Sequence, residues 1–330
     1  MTEWTYGGAG LLVLAAALVL DALFGEMALL LRNALHPVVA IGRVVGWLDA
    51  KLNRPERGER ARFWRGVFTA VAVATLAGGV GWVVSALARV LPGGWLIEAL
   101  LVAILLSQRS LYEHVAAVSR SLRCDGLAGG RAAIRHLVSR DPASLDEPGI
   151  ARAALESLAE NFADAVVAPV FWYAVAGLPG ICAYKAINTA DSMIGYRTNK
   201  YRVFGRAAAR LDDAANWIPA RLAALIIVAA AALTGNETRR ALRVIRRDAR
   251  THASPNAGWP EAAFAGALGL ALGGPRSYPG EGTREHWIGA DGRRRYGPAG
   301  IDKGLRLYLA ACAVNGILGG GILLLGASLG

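Results

Sequence analysis

Three acidic residues in the middle of the chain, Glu156, Glu160 and Asp164, have a spacing that could serve one chemical role. On a helix they fall at positions i, i+4 and i+8, and therefore on one face. Carboxylates stacked in this way repel one another unless a cation lies among them, and oxygen-only ligands suit Mg2+. A solvated acidic face is the commoner explanation, but an uncharged run begins at Ala165. Glu160 and Asp164 are therefore candidate metal ligands.

A second polar group follows, in which Asn188, Asp191 and Ser192 share a helical face and Lys185 lies one turn before them. Ionisable residues at the end of a membrane segment are costly and indicate a functional site by default. A lysine there can hold a phosphate as a point charge. For Lys185 alone, a side chain that reaches up to the membrane interface is an equally good explanation. Together the four residues indicate a site for a metal ion or a phosphate.

A third group combines the paired Asp212 and Asp213 with Asn216 and Arg221. Paired aspartates followed by an amide and a guanidinium can hold a metal ion and then a phosphate. The alternative is the ordinary chemistry of a helix start ahead of a membrane segment. One aspartate alone would favour that alternative, but two aspartates with Asn216 favour a binding site.

A fourth group lies in the segment from His252 to Glu261, which contains two prolines and a glycine and is therefore expected to be irregular. Such a loop can present Ser254, Asn256 and Glu261 to a ligand, although a loop with a Ser or Asn helix cap is an alternative. The glycine-rich stretch 272–282 is a weaker candidate for holding a phosphate. No GxxxxGK[ST] string occurs, which excludes a P-loop nucleotide site.

The composition predicts that these groups are held within a membrane protein. Hydrophobic residues make up 54% of the 330 residues and charged residues only 18%, which is too apolar for a typical soluble protein. The net charge of +11 would suggest nucleic acid as the partner of a soluble protein. Here the basic residues lie in loops, so the positive-inside rule is the simpler account. The lipid bilayer is the expected partner, and no nucleic acid is expected.

Long apolar runs predict an all-α fold, a polytopic membrane helical bundle with re-entrant or broken helices around a polar site. About 20 apolar residues cross the hydrocarbon core as a helix. The expected spans are 8–31, 66–90, 95–116 and 305–328, within a single integral membrane domain of residues 1–330. Two more segments, 165–187 and 217–234, either cross or re-enter. The first is interrupted by Gly177-Leu178-Pro179-Gly180.

The distribution of basic residues predicts the orientation. Residues 32–65 hold eight Lys and Arg residues and residues 107–164 hold seven, so both segments are expected on the cytoplasmic side. The N-terminus is then expected outside a bacterial plasma membrane. If 165–187 and 217–234 both crossed, five basic residues within 188–216 would lie outside. This favours a cytoplasmic site with at least one re-entrant element.

Taken together, the motifs closely resemble those of the adenosylcobinamide-phosphate synthase family of cobalamin biosynthesis. The matching strings are Asp21-Ala22-Leu23-Phe24-Gly25, His36-Pro37-Val38, Ile41-Gly42, Glu160-Asn161-Phe162 with Asp164, Ala168-Pro169, Tyr184-Lys185-Ala186-Ile187-Asn188-Thr189, Asp191-Ser192-Met193, Gly195-Tyr196, Phe204-Gly205, Asp212-Asp213 with Asn216, Pro219-Ala220-Arg221, Ser254-Pro255-Asn256-Ala257-Gly258-Trp259-Pro260-Glu261 and Ala265-Gly266-Ala267-Leu268. They run in order from about residue 9 to the last helix, and the divergent parts are 50–65, 120–150 and 283–304.

The resemblance implies an ATP-dependent ligase of the plasma membrane, which joins a corrinoid carboxylate to the amine of aminopropanol or its phosphate. An acyl phosphate formed from ATP is a compatible mechanism, and it needs Mg2+ and cations around the phosphates. The candidate metal ligands are Glu160, Asp164, Asp191, Asp212 and Asp213. The candidate catalytic residues are Glu160, Asp164, Lys185, Asp191 and Glu261, with Glu261 as general base. The candidate substrate and phosphate contacts are Lys185, Asn188, Ser192, Asn216, Arg221, Ser254, Asn256 and His36.

Two other functions remain open at this level. An intramembrane Mg2+-dependent prenyltransferase could grip a diphosphate through Asn188, Asp191 and the Asp212-Asp213 pair. That class is expected to carry its acidic motifs on separate hairpins, whereas here they lie within one stretch. A small-molecule transporter with broken helices around a midplane site is the second alternative, but no pseudo-repeat is visible. The assembly state is open, and a homo-oligomer is one expectation.

Overall fold

The computed structural model describes residues 8–25, 36–138, 141–278 and 281–328. The chain divides into two compact units, each built from separated stretches of sequence. The first unit contains Met1–Ser107, Ala168–Asn216 and Gly316–Gly330, and the second contains Gln108–Val167 and Trp217–Asn315. The sequence led us to expect a single domain, and each unit is described by itself.

Helices dominate the described residues, as the composition predicted. The helices are α1 (Gly8–Phe24), α2 (Pro37–Leu52), α3 (Glu59–Val90), α4 (Gly94–Leu105), α5 (Gln108–Cys124), α6 (Gly126–Ile134), α7 (Glu147–Phe162), α8 (Ala168–Ile194), α9 (Arg206–Ala215), α10 (Trp217–Leu233), α11 (Thr238–Asp248), α12 (Gly258–Leu268) and α13 (Pro298–Ser328). Single 3-10 turns occupy Pro142–Ser144 and Ala249–Thr251, and a π-helical turn occupies Ala163–Val167.

Four helical stretches are long and apolar enough to cross a membrane, and they confirm the expectation of an all-α membrane bundle. They are Glu59–Val90, Gly94–Cys124, Glu147–Ile194 and Pro298–Ile322. A fifth is obtained if the bent pair Arg206–Ala215 and Trp217–Leu233 forms one span.

The first predicted span is shorter than expected in the described residues. Its helix ends at Phe24, and Gly10–Phe24 counts among the shorter apolar helices. Residues 26–31 of the predicted span lie outside the described residues. The predicted span 95–116 is also interrupted, because α4 ends at Leu105 and α5 begins at Gln108.

The core of the first unit forms where α3 packs along α8 and where α1 packs on α4. Val13, Leu14, Val102 and Ile181 are buried in one apolar cluster of this unit. The outer side of the 32-residue α3 is apolar and exposed, as at Phe68, whose exposed fraction is 60%. A long helix with one packed side and one exposed apolar side is what a lipid-facing span requires.

Helix α8 is broken as its sequence predicted. Ala176 and Gly177 leave the helical region, with φ of −136° and +63° respectively, and Pro179 follows inside the helix. Proline lacks a backbone N–H and its ring clashes with the carbonyl four residues earlier, so the preceding turn cannot stay helical. Glycine supplies the positive φ that other residues adopt only with strain. Whether 165–187 crosses or re-enters stays a prediction.

The core of the second unit is built from α5, α7, α10, α12 and the start of α13. Phe162 and Tyr308 meet edge to face, with ring centroids 5.7 Å apart. The Tyr308 hydroxyl donates to the Gln108 carbonyl at 2.7 Å, which satisfies a polar atom inside an apolar cluster. The rings thereby tie α7, α13 and the start of α5 together.

The described residues of the glycine-rich stretch 272–282 form a β-hairpin, and its proposed contact with phosphate stays a prediction. The stretch contains β1 (Leu272–Tyr278) and the start of β2 (Glu281–Ile288), which pair antiparallel with Leu272 opposite Ile288. Gly273 and Gly274 have φ of +79° and +90°, so this strand needs glycine at both positions. The strand was not predicted because its sequence lacks the alternation of apolar and polar side chains that marks a strand.

A glycine in α3 provides a test of the packing in the first unit. A Cβ at Gly66 would lie 1.8 Å from the Phe204 carbonyl oxygen, whereas a Cβ at Gly79 on the same helix meets nothing within 4 Å. We expect Gly66→Ala to destabilise the protein by about 1–3 kcal/mol or more, because overpacking forces the backbone apart. Gly79→Ala is the matched control, and alanine favours helix by roughly 1 kcal/mol. Thermal unfolding in detergent should show a lower midpoint for the first variant only, and equal midpoints would contradict this packing.

Candidate active site

A chain of hydrogen bonds in the first unit, buried at Tyr184 and part-buried at Asp212, brings together residues from two predicted groups. The Tyr184 hydroxyl donates to Asn216 Oδ1 at 2.9 Å, and Asn216 Nδ2 donates to Asp212 Oδ2 at 3.0 Å. Asn188 Nδ2 donates to the other oxygen, Asp212 Oδ1, at 3.2 Å. We call these four residues the Asp212 cluster. Each carboxylate oxygen thus accepts one amide, which fixes the orientation of the carboxyl plane.

The pairing of α8 with α9 produces the Asp212 cluster. Tyr184 and Asn188 lie one turn apart on α8, and Asp212 lies on α9 one turn before Asn216. A further bond from Trp172 Nε1 to the Ala215 carbonyl, at 3.2 Å, holds the end of α9 against α8. Tyr184 and Asn216 are each only 1% exposed, so their polar atoms depend on this network.

Lys185 and Asp191 lie on α8, the helix that carries Tyr184 and Asn188 of the cluster. Lys185 is buried at 8% exposure, which makes a lysine that merely reaches the interface a poor description. Asp191 is half-buried and folds back over Gly195, where a Cβ would come within 1.9 Å of its Oδ1. Ser192 is exposed. These three residues of the second group, which share a helix, are therefore buried, half-buried and exposed respectively.

Asp213 and His36 are two other predicted residues of the first unit. Asp213 is half-buried in α9, with the positive charge of Arg197 among its electrostatic neighbours. His36 caps the start of α2, and its Nδ1 accepts the Val38 N–H at 3.3 Å. This gives His36 a structural role, and its predicted contact with substrate stays a prediction.

The segment between α8 and α9 is anchored at Lys200. Its ammonium lies 2.9 Å from Asp49 Oδ2, and its carbonyl accepts bonds from Asn53 Nδ2 at 3.2 Å and from Arg62 at 2.6 Å. Hydrogen bonds to Tyr201 and Asp49 raise the pKa of Lys200 above its ordinary value. These contacts fix the path of the chain from Asp191 to Asp212.

In the second unit, Arg221 is held between two aromatic rings. Its guanidinium carbon lies 4.2 Å from the Trp217 ring centroid and 4.5 Å from that of Trp259. Its NH1 donates to the Trp217 carbonyl at 2.6 Å and to Asn256 Oδ1 at 3.2 Å. A guanidinium stacked in this way is oriented before any ligand binds, which suits the binding of a carboxylate or a phosphate.

The loop before α12 is held by its own side chains. Ser254 Oγ accepts the N–H groups of Asn256 and Ala257, each at 3.2 Å, and the Ser254 N–H donates to His252 Nδ1 at 3.0 Å. A neutral His252 therefore carries its proton on Nε2, which lies 3.7 Å from Glu261 Oε1. Ser254 thus has a turn-forming role, and the loop presents Asn256 to Arg221.

The three carboxylates of the first predicted group do not share one environment. Glu156 is 7% exposed, and its Oε1 accepts the Gly273 N–H at 2.7 Å, which gives it a structural role. Glu160 is exposed, and Asp164 is half-buried. Helix α7 ends at Phe162 and a π-helical turn follows, so the i, i+4, i+8 geometry does not continue to Asp164.

Within the described residues, no three His, Cys, Asp or Glu side chains come together as a metal site. Mg2+ is usually held by one or two carboxylates, and substrate phosphates and water complete its shell. A carboxylate has about four lone-pair positions, and the two amides on Asp212 occupy one on each oxygen. Asp212 therefore fits Mg2+ ligation, and all five predicted metal ligands stay predictions.

The aromatic and imidazole groups that hold the predicted residues were not themselves among the predicted site residues. Tyr184, Trp172, Trp217, Trp259 and His252 each contact a predicted site residue or its helix. Their signal was present, because a buried Tyr or Trp carries a polar group that needs a partner. Which partner each would take depends on contacts between helices, which spacing along the chain does not show.

Comparison with known proteins identifies relatives over nearly the whole length. The CobD/Cbib protein family matches residues 14–308. A cobalamin biosynthesis protein CobD of Sinorhizobium sp is 50% identical over 307 residues, covering 92% of this chain and 95% of the relative. The protein of the same description from Brucella suis biovar 1 is 48% identical over 301 residues, covering 90% and 92% respectively. That of Rhodobacter capsulatus is 47% identical over 308 residues, covering 90% and 94%. No solved structure matches the chain significantly.

A double-mutant cycle tests the bond between Tyr184 and Asn216. We expect Tyr184→Phe and Asn216→Ala each to lower stability, because each leaves a buried partner unsatisfied at a cost of about 1–3 kcal/mol. The double variant should lose less than the sum, with a coupling of roughly 0.5–3 kcal/mol. Unfolding in detergent is the measurement. The same cycle with exposed Ser192→Ala in place of Asn216→Ala is the control and should show additivity. Additive losses in the first cycle would contradict the cluster.

Proposed function

The chain belongs to the CobD/Cbib protein family, and from that premise we propose that it is an ATP-dependent amide ligase of cobalamin biosynthesis. The proposed reaction joins a carboxylate of adenosylcobyric acid to the amine of aminopropanol or its phosphate. The observation that carries the proposal is the Asp212 cluster, with Lys185 buried on the same helix. A fixed carboxylate, two amides and a lysine are the groups that bind a magnesium–phosphate substrate.

The chemistry requires that the carboxylate be activated, because an amine cannot displace an oxide ion. We propose that the carboxylate oxygen attacks the γ-phosphorus of ATP and ADP leaves, which gives an acyl phosphate. The amine nitrogen then attacks the acyl carbon, the C–O bond to phosphate breaks, and inorganic phosphate leaves. The nitrogen loses one proton to a base. The products are the amide, ADP and phosphate.

In the first unit we assign the phosphate chemistry of ATP to the Asp212 cluster and its neighbours. Asp212, Asp213 and Asp191 are the candidate carboxylates for Mg2+, which when bound would neutralise phosphate charge. Lys185 is the candidate for holding a phosphate oxygen, and hydrogen bonds from Asn188 and Asn216 keep Asp212 oriented. Ser192, which is exposed, and His36, which caps α2, remain candidate contacts of the substrate.

In the second unit we assign anion binding to Arg221 and Asn256. Stacking on Trp217 and Trp259 leaves Arg221 little freedom to lose when an anion binds, which improves affinity. Glu261 is the candidate base, because its buried carboxylate can take a proton next to the His252 imidazole. Glu160, Asp164 and Ser254 remain candidates by their place in the motifs.

The membrane setting is part of the proposal. The apolar helices support a membrane protein. We propose a multi-pass protein of the bacterial plasma membrane, with the N-terminus outside and the basic segments 32–65 and 107–164 in the cytoplasm, where ATP is available. A homo-oligomer is compatible with this arrangement. The match to the CobD/Cbib family over residues 14–308 favours the ligase over a prenyltransferase or a transporter.

A reconstituted assay tests the ligase directly. Purified protein in detergent is given adenosylcobyric acid, aminopropanol phosphate and Mg-ATP, and the amide, ADP and phosphate are counted. We expect one ADP and one phosphate for each amide. Free aminopropanol in a parallel reaction identifies the preferred acceptor. AMP and diphosphate in place of ADP would show that the carboxylate is activated by adenylation, and amide formation without nucleotide cleavage would refute the proposal.

Two variants test the metal assignment in the same assay. We expect Asp191→Asn and Asp213→Asn each to lower turnover by about 100-fold or more, by analogy with the removal of one oxyanion-hole donor, which costs about 2.7–4 kcal/mol of transition-state stabilisation. Asp125→Asn, which neutralises an exposed aspartate at the start of α6, is the matched control and should keep full turnover. Unfolding midpoints and gel filtration confirm that all three variants are folded. Near-normal turnover in both site variants would contradict the assignment.

A further inference from the structure

Helix α11, Thr238–Asp248, has two contrasting sides. Ala241, Val244 and Ile245 are buried against the second unit. The packing against α12 is close, because a Cβ at Gly266 would come within 2.5 Å of the Ala241 Cα. Helix α11 is therefore fixed in place by its apolar side, and its other sides are free to carry charge.

Two arginines of α11 are neutralised by acidic neighbours. Arg240 lies 3.6 Å from Glu237 and 3.2 Å from Asp291. Arg247 lies 2.6 Å from Asp248 and 2.8 Å from Asp291. Burial acts to raise the pKa of Asp248, but its hydrogen bonds, those from Arg247 foremost, outweigh this and hold the pKa below its ordinary value. Asp248 is thus ionised at neutral pH and balances Arg247.

A second set of arginines forms a continuous exposed face. Arg239, Arg243, Arg246 and Arg250 follow one another at steps of four, three and four residues, which places them on one side of the helical path. All four are exposed. In the described part of the chain, no acidic side chain pairs with Arg239, Arg243 or Arg246. Arg250 lies past the end of α11, and its charge acts on Arg221 of the candidate site, so we call only Arg239, Arg243 and Arg246 the basic face.

Two shallow cavities lie along the basic face. One, of about 550 Å³, is lined by Arg239, Arg240 and Arg243 and also by Glu237 and Asp291, the two acidic residues that pair with Arg240. The other, of about 540 Å³, is lined by Arg239, Arg243, Arg246 and Arg247 together with Leu242, and it is the one that suits an anion. Guanidinium groups around an open depression suit an oxyanion that enters from solvent or from a membrane surface.

The position of the basic face in the chain identifies its partner. Helix α10 is apolar and exposes Leu225 and Leu233, with exposed fractions of 59% and 75%. It ends at Leu233, and α11 begins at Thr238 after a turn in which Gly235 has a φ of +67°. In a membrane protein, a basic segment that directly follows an exposed apolar helix is expected at the depth of the phospholipid headgroups.

We propose that the basic face of α11 binds the headgroups of anionic phospholipids. The phosphate of the headgroup sits in the depression between Arg239, Arg243 and Arg246, and the ion pairs of Arg240 and Arg247 hold the helix behind them. The function of this surface is to bind and orient the second unit at an anionic leaflet, and it is independent of the ligase chemistry.

The size of the effect follows from the charge. A basic residue near an anionic surface contributes roughly fivefold in affinity. Loss of three arginines should therefore weaken binding by about tenfold or more, with roughly 100-fold as the limit of full additivity. The interaction should weaken strongly at 1 M salt, where the Debye length falls to about 3 Å.

The test measures lipid preference in the full chain. The protein in neutral detergent is titrated with fluorescent phosphatidylglycerol and, separately, with phosphatidylcholine. The natural protein should bind phosphatidylglycerol at least about tenfold more tightly. The variant that combines Arg239→Gln, Arg243→Gln and Arg246→Gln should lose this preference. The matched control, which combines Lys51→Gln, Arg54→Gln and Arg60→Gln at exposed positions, removes the same charge and should keep it.

Each other outcome overturns the proposal. Equal losses in both triple variants would show that net charge, not the basic face, sets the preference. Displacement of phosphatidylglycerol by equimolar inorganic phosphate would show a site for free phosphate. Binding of a polynucleotide that the α11 variant loses, without any lipid preference, would assign the face to nucleic acid. Gel filtration and unfolding midpoints establish that both triple variants are folded. A lost preference for phosphatidylglycerol then reflects lost binding and not unfolding.

Discussion

The carboxylate of Asp212 accepts one side-chain amide on each oxygen, and the elements around it are arranged to keep those two bonds. An ionisable group taken from water is costly unless hydrogen bonds replace the lost water. The donor on one side, Asn216, is itself held by Tyr184, and all of these residues lie on two helices. The pairing of α8 and α9 is therefore required by polar chemistry as much as by apolar packing.

The rest of the first unit follows from that requirement. The break at Ala176–Gly177 divides the long helix α8, so its second half, which carries Tyr184, Lys185 and Asn188, need not continue the direction of its first half. Close contacts at glycines, as where Gly66 meets Phe204, allow α3 to support the segment that leads to α9. In the second unit the charged group is Arg221, and it is held in place by two aromatic rings and one side-chain amide. A carboxylate suited to a cation in the first unit and a guanidinium suited to an anion in the second are thus oriented before any ligand binds.

Local chemistry made part of this structure predictable. The break near Pro179 follows from the covalent structure of proline and glycine, and the long apolar runs follow from the thickness of a bilayer. Residue type singled out Asn188 and Asp212 in two separate groups, but it did not predict the contact between them. The role of Glu156 was not predictable, because its partner Gly273 lies 117 residues away in the sequence. The β-hairpin was not predicted because its glycines remove the alternation of side chains that marks a strand. The two units were not predicted because the segments that form them alternate along the chain. Spacing shows which residues can share a face, but not what that face will meet.

The central claim is that ATP activates the corrinoid carboxylate by transferring a phosphoryl group to its oxygen. Adenosylcobyric acid labelled with 18O in that carboxylate tests the claim most directly. The ligation is run with Mg-ATP and aminopropanol phosphate, and the released inorganic phosphate is analysed by mass spectrometry. An acyl phosphate requires that one carboxylate oxygen leave with the phosphate, so one labelled oxygen should appear in each phosphate released. Unlabelled phosphate, or label found in AMP, would contradict the account.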